Sequence, residues 1–359
     1  MKHGKNNFDS VRLLAAIAVI FDHSHAIVKV AEPTLLGNSV GGIAVKIFFV
    51  VSGYLICTSW IVDPNPLRYL AKRSLRIMPA LIVITVLSAF VVGPMFTDLR
   101  WGEYFSSRAT YQYLYNVAMY PMWYLPGVFS RNAYPGAVNG SLWSLPVEFA
   151  MYMVLPCVLF VGSMVRVRWL LPACTLMLCV ASLWLVRIHP FPQHFIFYST
   201  DWTSGLDVAP YFLLGGLIRF MRWERYLDSM FALFLVACVA FIHAKSPVVD
   251  EVILYILLPY AVLSLAIPAQ RWLQDFGHFG DLSYGVYIYA FLVQQSVAHL
   301  TDNRLTAMQN ALVTLPIVLV LAWLSWHLVE KPMLSLKPGA RSAGIRERVV
   351  GAPSAEGCA

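Results

Sequence analysis

An arginine and a histidine stand eleven residues apart in the apolar stretch FDSVRLLAAIAVIFDHSHAIV, which begins at residue 8. Eleven residues of α-helix turn through about 1100°, roughly 20° more than three full turns. Arg12 and His23 are therefore predicted to share one helix face, about 16 Å apart along the axis. Because an unperturbed imidazole titrates near neutral pH, this face joins a cation to a side chain suited to general acid–base chemistry. Asp22 is predicted about 100° to one side of His23, and His25 roughly opposite it.

Each of these polar side chains also has a structural interpretation. An arginine near a helix end often extends to lipid headgroups, and Asp9, three residues earlier, is positioned to pair with Arg12. His23 could be a satisfied packing residue, and His25 could face water or headgroups near the outer end. Asp22 could orient or charge a histidine, or it could lie exposed at the mouth of a cavity. An ionisable group at the centre of a membrane helix costs about 2.5–3.5 kcal/mol, so each needs a reason to be there.

A buried carboxylate is predicted in the later apolar stretch SLWSLPVEFAMYMVLP, which begins at residue 141. If this helix starts near Leu142 at the outer surface, Glu148 lies about 9 Å below that surface. His23 would then lie at a similar depth, and the two side chains are candidates for mutual pairing and general acid–base chemistry. The alternative is a structural ion pair that holds two helices together.

A basic cluster lies in the stretch YLAKRSLRIMP, which begins at residue 69. Lys72, Arg73 and Arg76 come where the third apolar segment begins, and the preference for positive residues on the cytoplasmic side would explain them. The cluster would also suit the phosphates of a cytosolic ligand, because guanidinium groups bind phosphate oxygens in a bidentate manner.

The elements that must position these residues are membrane helices. The chain has 359 residues, of which 59% are hydrophobic and 13% are charged, whereas a soluble protein has about 25% charged residues. The fold class predicted is an all-α, polytopic membrane bundle of about ten transmembrane helices within 1–333, followed by a disordered cytoplasmic tail, 334–359. The longest connection, roughly 98–142, is rich in Tyr, Trp, Gly and Pro and is predicted to lie at the membrane interface. The predicted segments are 9–29, 41–62, 77–97, 143–163, 168–187, 205–221, 228–243, 250–268, 281–299 and 309–329.

The basic residues between these segments predict the orientation of the bundle. Of the 26 Lys and Arg residues, 17 fall on one side and 7 on the other, which predicts that both termini are cytoplasmic. The net charge of +7 is then a topology signal, and no nucleic-acid partner is expected. The six cysteines show no metal-like cluster, so neither a metal site nor a disulfide is predicted.

Taken together, these stretches resemble acyltransferase type 3, a family of membrane acyltransferases that modify bacterial surface polysaccharides and some secondary metabolites. FDSVRLLAAIAVIFDHS matches the opening pattern of the family, with Arg12 and His23 at its ten-residue gap. The landmarks follow in order from residue 8 to residue 333, nearly the whole chain. The later landmarks are Phe48, Phe49, Ser52 and Gly53 in KIFFVVSGYLI; Arg73, Arg76 and Pro79 in KRSLRIMPA; Trp143, Ser144 and Glu148; and YFLLGGLI, SYGVYIYAF and HLVEKPM, with Tyr284, Tyr287, Glu330 and Pro332.

The resemblance implies a multi-pass O-acyltransferase of the cell inner membrane. It implies an acyl group, typically acetyl, taken from cytosolic acyl-CoA as co-substrate, and an acceptor hydroxyl on a glycan or lipid-linked sugar, with membrane lipids as the surroundings. Direct transfer with a histidine base and a covalent acyl-histidine intermediate are both open. The roles it implies are CoA binding by Arg12, Arg73 and Arg76; catalysis by His23, Glu148 and Asp22; and acceptor binding by Trp143, Ser144, His25 and Tyr284.

Two positions depart from the family pattern. Ala290 stands where the ninth helix usually carries a histidine, which removes one polar group from the expected cavity. Lys46 stands where many members have a polar or acidic residue, and it is expected to add a positive charge near the outer part of that cavity. Both substitutions are expected to bear on the acceptor.

Other classes of protein carry ionisable residues in membrane helices. A proton-coupled transporter uses Asp, Glu and His as proton relays, but the chain has no pair of inverted halves with matching broken helices. A non-catalytic partner in polysaccharide export or assembly is a third possibility. Within the enzyme class, the acceptor could instead be a signalling oligosaccharide or a small secondary metabolite.

Overall fold

The fold is a bundle of helices with two very short hairpins. The computed structural model describes residues 7–190, 194–240, 246–267 and 280–337, so residues 338–359 of the predicted tail lie outside the described residues. The hairpins pair β1 (Thr34–Leu35) with β2 (Asn38–Ser39), and β3 (Ile196–Phe197) with β4 (Thr200–Asp201). The helices are α1 Phe8–Ile27, α2 Val40–Val62, α3 Pro66–Leu87, α4 Trp101–Ser106, α5 Arg108–Gln112, α6 Ser144–Met164, α7 Leu170–Ser182, α8 Trp202–Phe220, α9 Ser229–Ala240, α10 Pro247–Ala266, α11 Ser283–Leu300 and α12 Ala307–Ser325.

Three of the long helices continue through a π-helical turn. Such turns follow α3 at Ser88–Val92, α7 at Leu183–Ile188 and α12 at Trp326–Glu330. After these π-helical turns, α3 and α12 each continue for one more helical turn, Gly93–Phe96 and Lys331–Leu334 respectively. These extensions give rods of 31 residues from Pro66 to Phe96 and 28 residues from Ala307 to Leu334.

The described chain confirms a helical membrane bundle. Each predicted apolar segment coincides with one of the long helices, as far as its residues are described. Seven helices in the described part are long and apolar enough to cross a membrane. The ten-span topology and the cytoplasmic termini stay predictions.

The third helix begins earlier than its apolar segment. Asn65 accepts a hydrogen bond from the backbone N–H of Arg68 at 3.0 Å, and Pro66 occupies the first helical position, an arrangement that starts helices efficiently. The basic stretch around Arg73 and Arg76 is therefore helical, and these two arginines, three residues apart, project from neighbouring turns.

Two glycines let α2 and α8 approach closely. A Cβ atom placed on Gly53 would lie 1.8 Å from the carbonyl oxygen of Phe212, and one on Gly215 would lie 2.1 Å from that of Val50. Small residues at such crossings are typical of membrane helix pairs, which associate mainly through van der Waals packing. The motif glycine at position 53 thus has a packing role.

Gly53→Ala is expected to destabilise the bundle by about 1–3 kcal/mol, because the backbones of α2 and α8 must separate to admit the methyl group. The measurement is thermal unfolding of the purified protein in detergent. Gly102→Ala is the matched control, since a Cβ there meets nothing within 4 Å. An unchanged melting temperature for Gly53→Ala would contradict the close crossing.

The long connection between α3 and α6 folds back over the bundle. Asn139 donates to the backbone carbonyl of Ile288 at 2.8 Å, and Asn132 donates to the side chain of Gln295 at 2.8 Å. Its aromatic residues are divided between a buried set and an exposed set. The buried set includes Tyr104, Tyr113 and Phe129, and the exposed set includes Trp101, Tyr111, Tyr115 and Tyr124.

This connection also decides where α6 begins. Asn139 caps a 3-10 turn, Gly140–Trp143, by accepting from the backbone N–H of Ser141 at 3.2 Å. Ser141 and Leu142 are buried, with exposed fractions of 0% and 3%. The helix that carries Glu148 therefore starts inside the bundle and not at its outer surface.

Candidate functional site

A cavity of about 550 Å³ lies among α1, α2, α3, α6 and the start of α11. Along α2 its wall runs from Val45 to Ile56, a span of roughly 16 Å. Six of the predicted site residues line it: Arg12, Arg73, Arg76, Ser144, Glu148 and Tyr284.

One end of the cavity is held by two arginines that share a carboxylate. Arg12 and Arg76 donate to the same oxygen of Asp281, at 2.9 and 2.5 Å. Asp281 is buried, with 8% of its surface exposed, and the two guanidinium groups offset the charge of its carboxylate. The shared carboxylate thus fixes both arginines at the cavity wall.

Each of these arginines has a second acidic partner. Arg12 also binds Asp9 at 2.5 Å, which confirms the predicted pair at a spacing of three residues. Arg76 also binds Glu330 at 3.3 Å, and its guanidinium lies over the ring of Tyr284. The hydroxyl of Tyr284 donates to the backbone carbonyl of Ile77, one residue after Arg76.

Arg73 differs from its neighbours because no carboxylate within the described part of the chain pairs with it. Its guanidinium carbon lies 5.8 Å from the ring centroid of Tyr69, and its Nε is buried without a hydrogen-bond partner. Arg73 is thus a cation at the cavity wall whose charge is not neutralised by a contacting side chain.

Glu148 is fixed by two hydroxyl groups. Ser52 of α2 and Tyr152 of α6 both donate to its Oε1, at 2.8 and 2.6 Å. Its Oε2 receives no hydrogen bond from the described residues. Because the side chain lines the cavity, this second oxygen is available to a bound ligand.

The predicted common depth of Glu148 and His23 is wrong. His23 packs on Phe291, whereas Tyr287, one helical turn earlier on α11, meets Ser144 at 2.7 Å. Glu148 lies four residues after Ser144 on α6, one further turn away from His23. Two turns correspond to about 11 Å, and the two side chains form no ion pair in the described chain. The prediction failed because it assumed that α6 starts at the outer surface, whereas its buried 3-10 turn starts it deeper.

The predicted shared face of Arg12 and His23 is confirmed. Arg12 bonds to Asp281, just before α11, and His23 makes an edge contact with the ring of Phe291, ten residues later, at a centroid distance of 5.2 Å. Both side chains therefore face the α11 side of α1. His23 lies about one turn beyond Tyr287, and its Nδ1 is buried with no hydrogen-bond partner.

Three other predicted site residues lie outside the cavity wall. Asp22 is buried and accepts from the hydroxyl of Ser39 at 3.2 Å. The Nδ1 of His25 bonds to the backbone carbonyl of Phe21 at 2.9 Å. Trp143 packs against the core at the turn that precedes α6. Their roles in catalysis and acceptor binding stay predictions.

The expectation that Lys46 adds a positive charge to the cavity is wrong. Its ammonium group is completely buried and pairs with Glu251 at 2.8 Å and with Asp207 at 3.1 Å. Arg187 binds the same two carboxylates, each at 2.7 Å. Two cations and two carboxylates thus form a balanced network, which joins α2, α8, α10 and the π-turn after α7, and no net charge reaches the cavity.

Sequence reasoning missed several groups at the site. Tyr152 lies four residues after Glu148, a spacing at which helical side chains meet, so this contact was open to prediction. The partnership of Asp281 with Arg12 joins residues 269 positions apart, and no local pattern marks it. Lys337 also lines the cavity, although its sequence neighbourhood is that of a polar tail.

The bundle and its polar internal cavity place this chain among multi-pass membrane proteins that have a binding chamber between their helices. A family model narrows this class further, because the model of the acyltransferase domain known as acyltransferase type 3 matches residues 5–328. The chain belongs to this family. Membership of this family indicates that the chain is an acyl-transfer enzyme. It also confirms the family resemblance that was predicted from the motifs.

Relatives support the same assignment. An O-acetyl transferase of Shigella phage Sf6 is 31% identical over 93% of this chain and 97% of its own length. Nodulation protein 10 of Rhizobium leguminosarum bv. viciae is 29% identical over 93% of this chain and 94% of its own. A peptidoglycan O-acetyltransferase candidate of Bacillus subtilis (strain 168) is 24% identical over 82% of this chain and 50% of its own. No solved structure is significantly similar to the chain.

Proposed function

We propose that this protein is an inner-membrane O-acyltransferase that moves an acetyl group from cytosolic acetyl-CoA to a hydroxyl of an exported or surface polysaccharide or of a lipid-linked sugar. The observation that carries the proposal is the cavity that begins at three arginines and reaches inward past Glu148. Relatives named as O-acetyl transferases support acetyl as the group transferred, and the relative named for peptidoglycan supports a glycan acceptor.

The donor is proposed to enter from the cytoplasmic end of the cavity. CoA carries several phosphate charges on a nucleotide, followed by a thin pantetheine arm that ends in the thioester. Arg73 suits the phosphates because no contacting carboxylate neutralises its charge. Arg12 and Arg76 are already paired with carboxylates, so they would contribute their remaining N–H groups at the same wall. The arm then extends along α2, whose cavity-lining part is about 16 Å long.

His23 is proposed to act as the general base. One ring nitrogen takes the proton of the acceptor hydroxyl, and the oxygen attacks the thioester carbonyl carbon. When the carbon–sulfur bond of the tetrahedral intermediate breaks, the imidazolium returns the proton to the departing thiolate, which gives the ester and free CoA. The unpartnered Nδ1 of His23 supports this role, and the acyl group must extend about one turn beyond Tyr287 to reach it.

Glu148 is proposed to bind the donor and not to orient His23. Its Oε2 lies at the cavity wall, where it can accept a hydrogen bond from an amide N–H of the pantetheine arm. The two hydroxyl donors on Oε1 fix the carboxylate in place before the donor arrives, which reduces the entropy cost of binding.

Glu148→Gln is expected to lower kcat/KM for acetyl-CoA by about 10- to 100-fold, the effect of losing one charge-assisted hydrogen bond. The fold should survive, because the amide oxygen still accepts from Ser52 and Tyr152. Initial rates of thiol release and a melting curve measure the two effects. Glu103→Gln, at an exposed helix start, is the control, and an unchanged kcat/KM for Glu148→Gln would exclude a donor-binding role for the carboxylate.

Mass spectrometry of the surface glycans tests the proposed function as a whole. Cells with the intact gene should carry acetyl esters that are absent after its deletion and return on complementation. Acetyl esters that stay on the glycan after the deletion would contradict the assignment of a polysaccharide acceptor. Substrate uptake that is independent of CoA, without acetylation, would point instead to a transporter.

A further inference from the structure

Lys337 is the last described residue, and its side chain lines the cavity next to Leu334. A turn after the end of the α12 rod holds it there. Its backbone N–H donates to the carbonyl of Leu334 at 3.3 Å, and Leu336 donates to Met333 at 3.1 Å. The family model ends at residue 328, so Lys337 reaches the cavity from a segment beyond the matched region.

Four cations line this end of the cavity, Arg12, Arg73, Arg76 and Lys337, and Lys72 lies nearby. Lys72 and Arg76 have carboxylate partners at 2.8 and 2.5 Å. Arg73 and Lys337 have none within 4.0 Å in the described ranges. Two cations at this end of the cavity, Arg73 and Lys337, thus have no side-chain counterion among the described residues.

The nearby positive charges change the pKa of Lys337. Burial, and then the charges of Arg73, Arg76 and Lys72, lower the pKa of its ammonium group to about 8, against a smaller opposing effect of Asp281. Gathering like charges at a partly buried position is unfavourable unless an anion completes the set. The unpaired charges of Arg73 and Lys337 therefore favour the binding of an anion at this end of the cavity.

We infer that Lys337 and Arg73 together bind a phosphate group of the acyl-CoA donor, an assignment that rests on the proposed function. A phosphate offers several anionic oxygens, which can accept from the fork of Arg73 and from the ammonium group of Lys337 at the same time. The tail segment would thus complete the donor site. The same phosphate chemistry occurs in anionic lipid headgroups, and the test separates the two sources.

The test is equilibrium binding of acetyl-CoA to the purified full-length protein in nanodiscs of zwitterionic lipid. Acetyl-CoA is the probe because its sulfur carries no titratable proton. At pH 7, Lys337→Gln is expected to weaken binding about tenfold, the loss of one charge-assisted contact. Lys337→Arg should retain binding. Lys331→Gln is the matched control, because that lysine is exposed on the same segment and lies outside the cavity wall.

The pH dependence gives a second readout. The wild-type lysine of the free protein loses its proton as the pH rises through about 8, so affinity should fall about fivefold between pH 7 and pH 9. Lys337→Arg should not show this fall, because arginine stays protonated. Lys337→Gln should bind weakly at both values.

The outcomes separate two failures. If the wild-type protein does not bind acetyl-CoA, the proposed donor is wrong. If the wild type binds it and Lys337→Gln binds it equally well, only the assignment of Lys337 is overturned. Equal acetyl-CoA binding together with weaker retention of phosphatidylglycerol by Lys337→Gln would assign the lysine to a lipid headgroup, which also overturns the inference.

Discussion

His23→Ala is expected to lower acetyl transfer by about a thousandfold, within the range typical for the loss of a general base. The variant cannot take the proton of the acceptor hydroxyl, so the rate of the chemical step falls. Affinity for acetyl-CoA should stay close to that of the wild type, because Arg12, at the end of the cavity where the phosphates are proposed to bind, lies about 16 Å away along α1. Transfer of labelled acetyl groups and equilibrium binding measure these two quantities.

His327→Ala is the matched control for this prediction. It removes an imidazole that lies outside the cavity wall and whose Nδ1 is already bonded to the carbonyl of Trp323. Its transfer rate should stay within about threefold of the wild type, a range of less than 1 kcal/mol. Full transfer by folded His23→Ala protein would exclude His23 as the base and would also exclude an acyl intermediate on His23.

Lys46→Met is expected to destabilise the protein by about 3–5 kcal/mol, the usual cost of removing one partner from a buried ion pair. The substitution leaves Glu251 and Asp207 with Arg187 as their one remaining cation in the described network. One negative charge inside the bundle is then uncompensated. Denaturant or thermal unfolding in a fixed detergent measures the loss.

The double variant Lys46→Met/Glu251→Leu sharpens this prediction. It removes one charge of each sign and leaves Arg187 paired with Asp207 at 2.7 Å. Much of the lost stability should return, so the two substitutions should be strongly non-additive. Lys331→Met, at an exposed lysine, is the control, and additive losses in the double variant would contradict a shared network.

The sequence predicted those features that depend on local periodicity. Long apolar segments located the helices, because a membrane span needs about 20 apolar residues in a row. The eleven-residue spacing placed Arg12 and His23 on one face, because the geometry of an α-helix is fixed. The basic cluster at Arg73 and Arg76 was expected at the start of the third apolar segment, whereas the helix begins earlier, at Pro66.

The features that sequence reasoning missed depend on contacts between distant segments. Lys46 pairs with Glu251, which lies 205 residues later in the chain. No local sequence pattern around either residue indicates this pairing. The depth of Glu148 depends on where the long connection between α3 and α6 enters the bundle. The hydrogen bond from Asn139 to the carbonyl of Ile288 on α11 fixes that point. Lys337 lies in a stretch whose composition indicates a tail, and only the turn after α12 brings it to the cavity.

The most direct test of donor entry and transfer uses sealed membrane vesicles of both orientations and acetyl-CoA labelled in its acetyl group. With inside-out vesicles, whose cytoplasmic face is accessible, label should pass to alkali-labile esters on the glycan, with one thiol released per acetyl group transferred. Right-side-out vesicles given the same external acetyl-CoA should show neither. Equal transfer in both orientations, or no acceptor-dependent thiol release in either, would contradict a cytoplasmic acyl-CoA donor that enters at the arginine-lined end of the cavity.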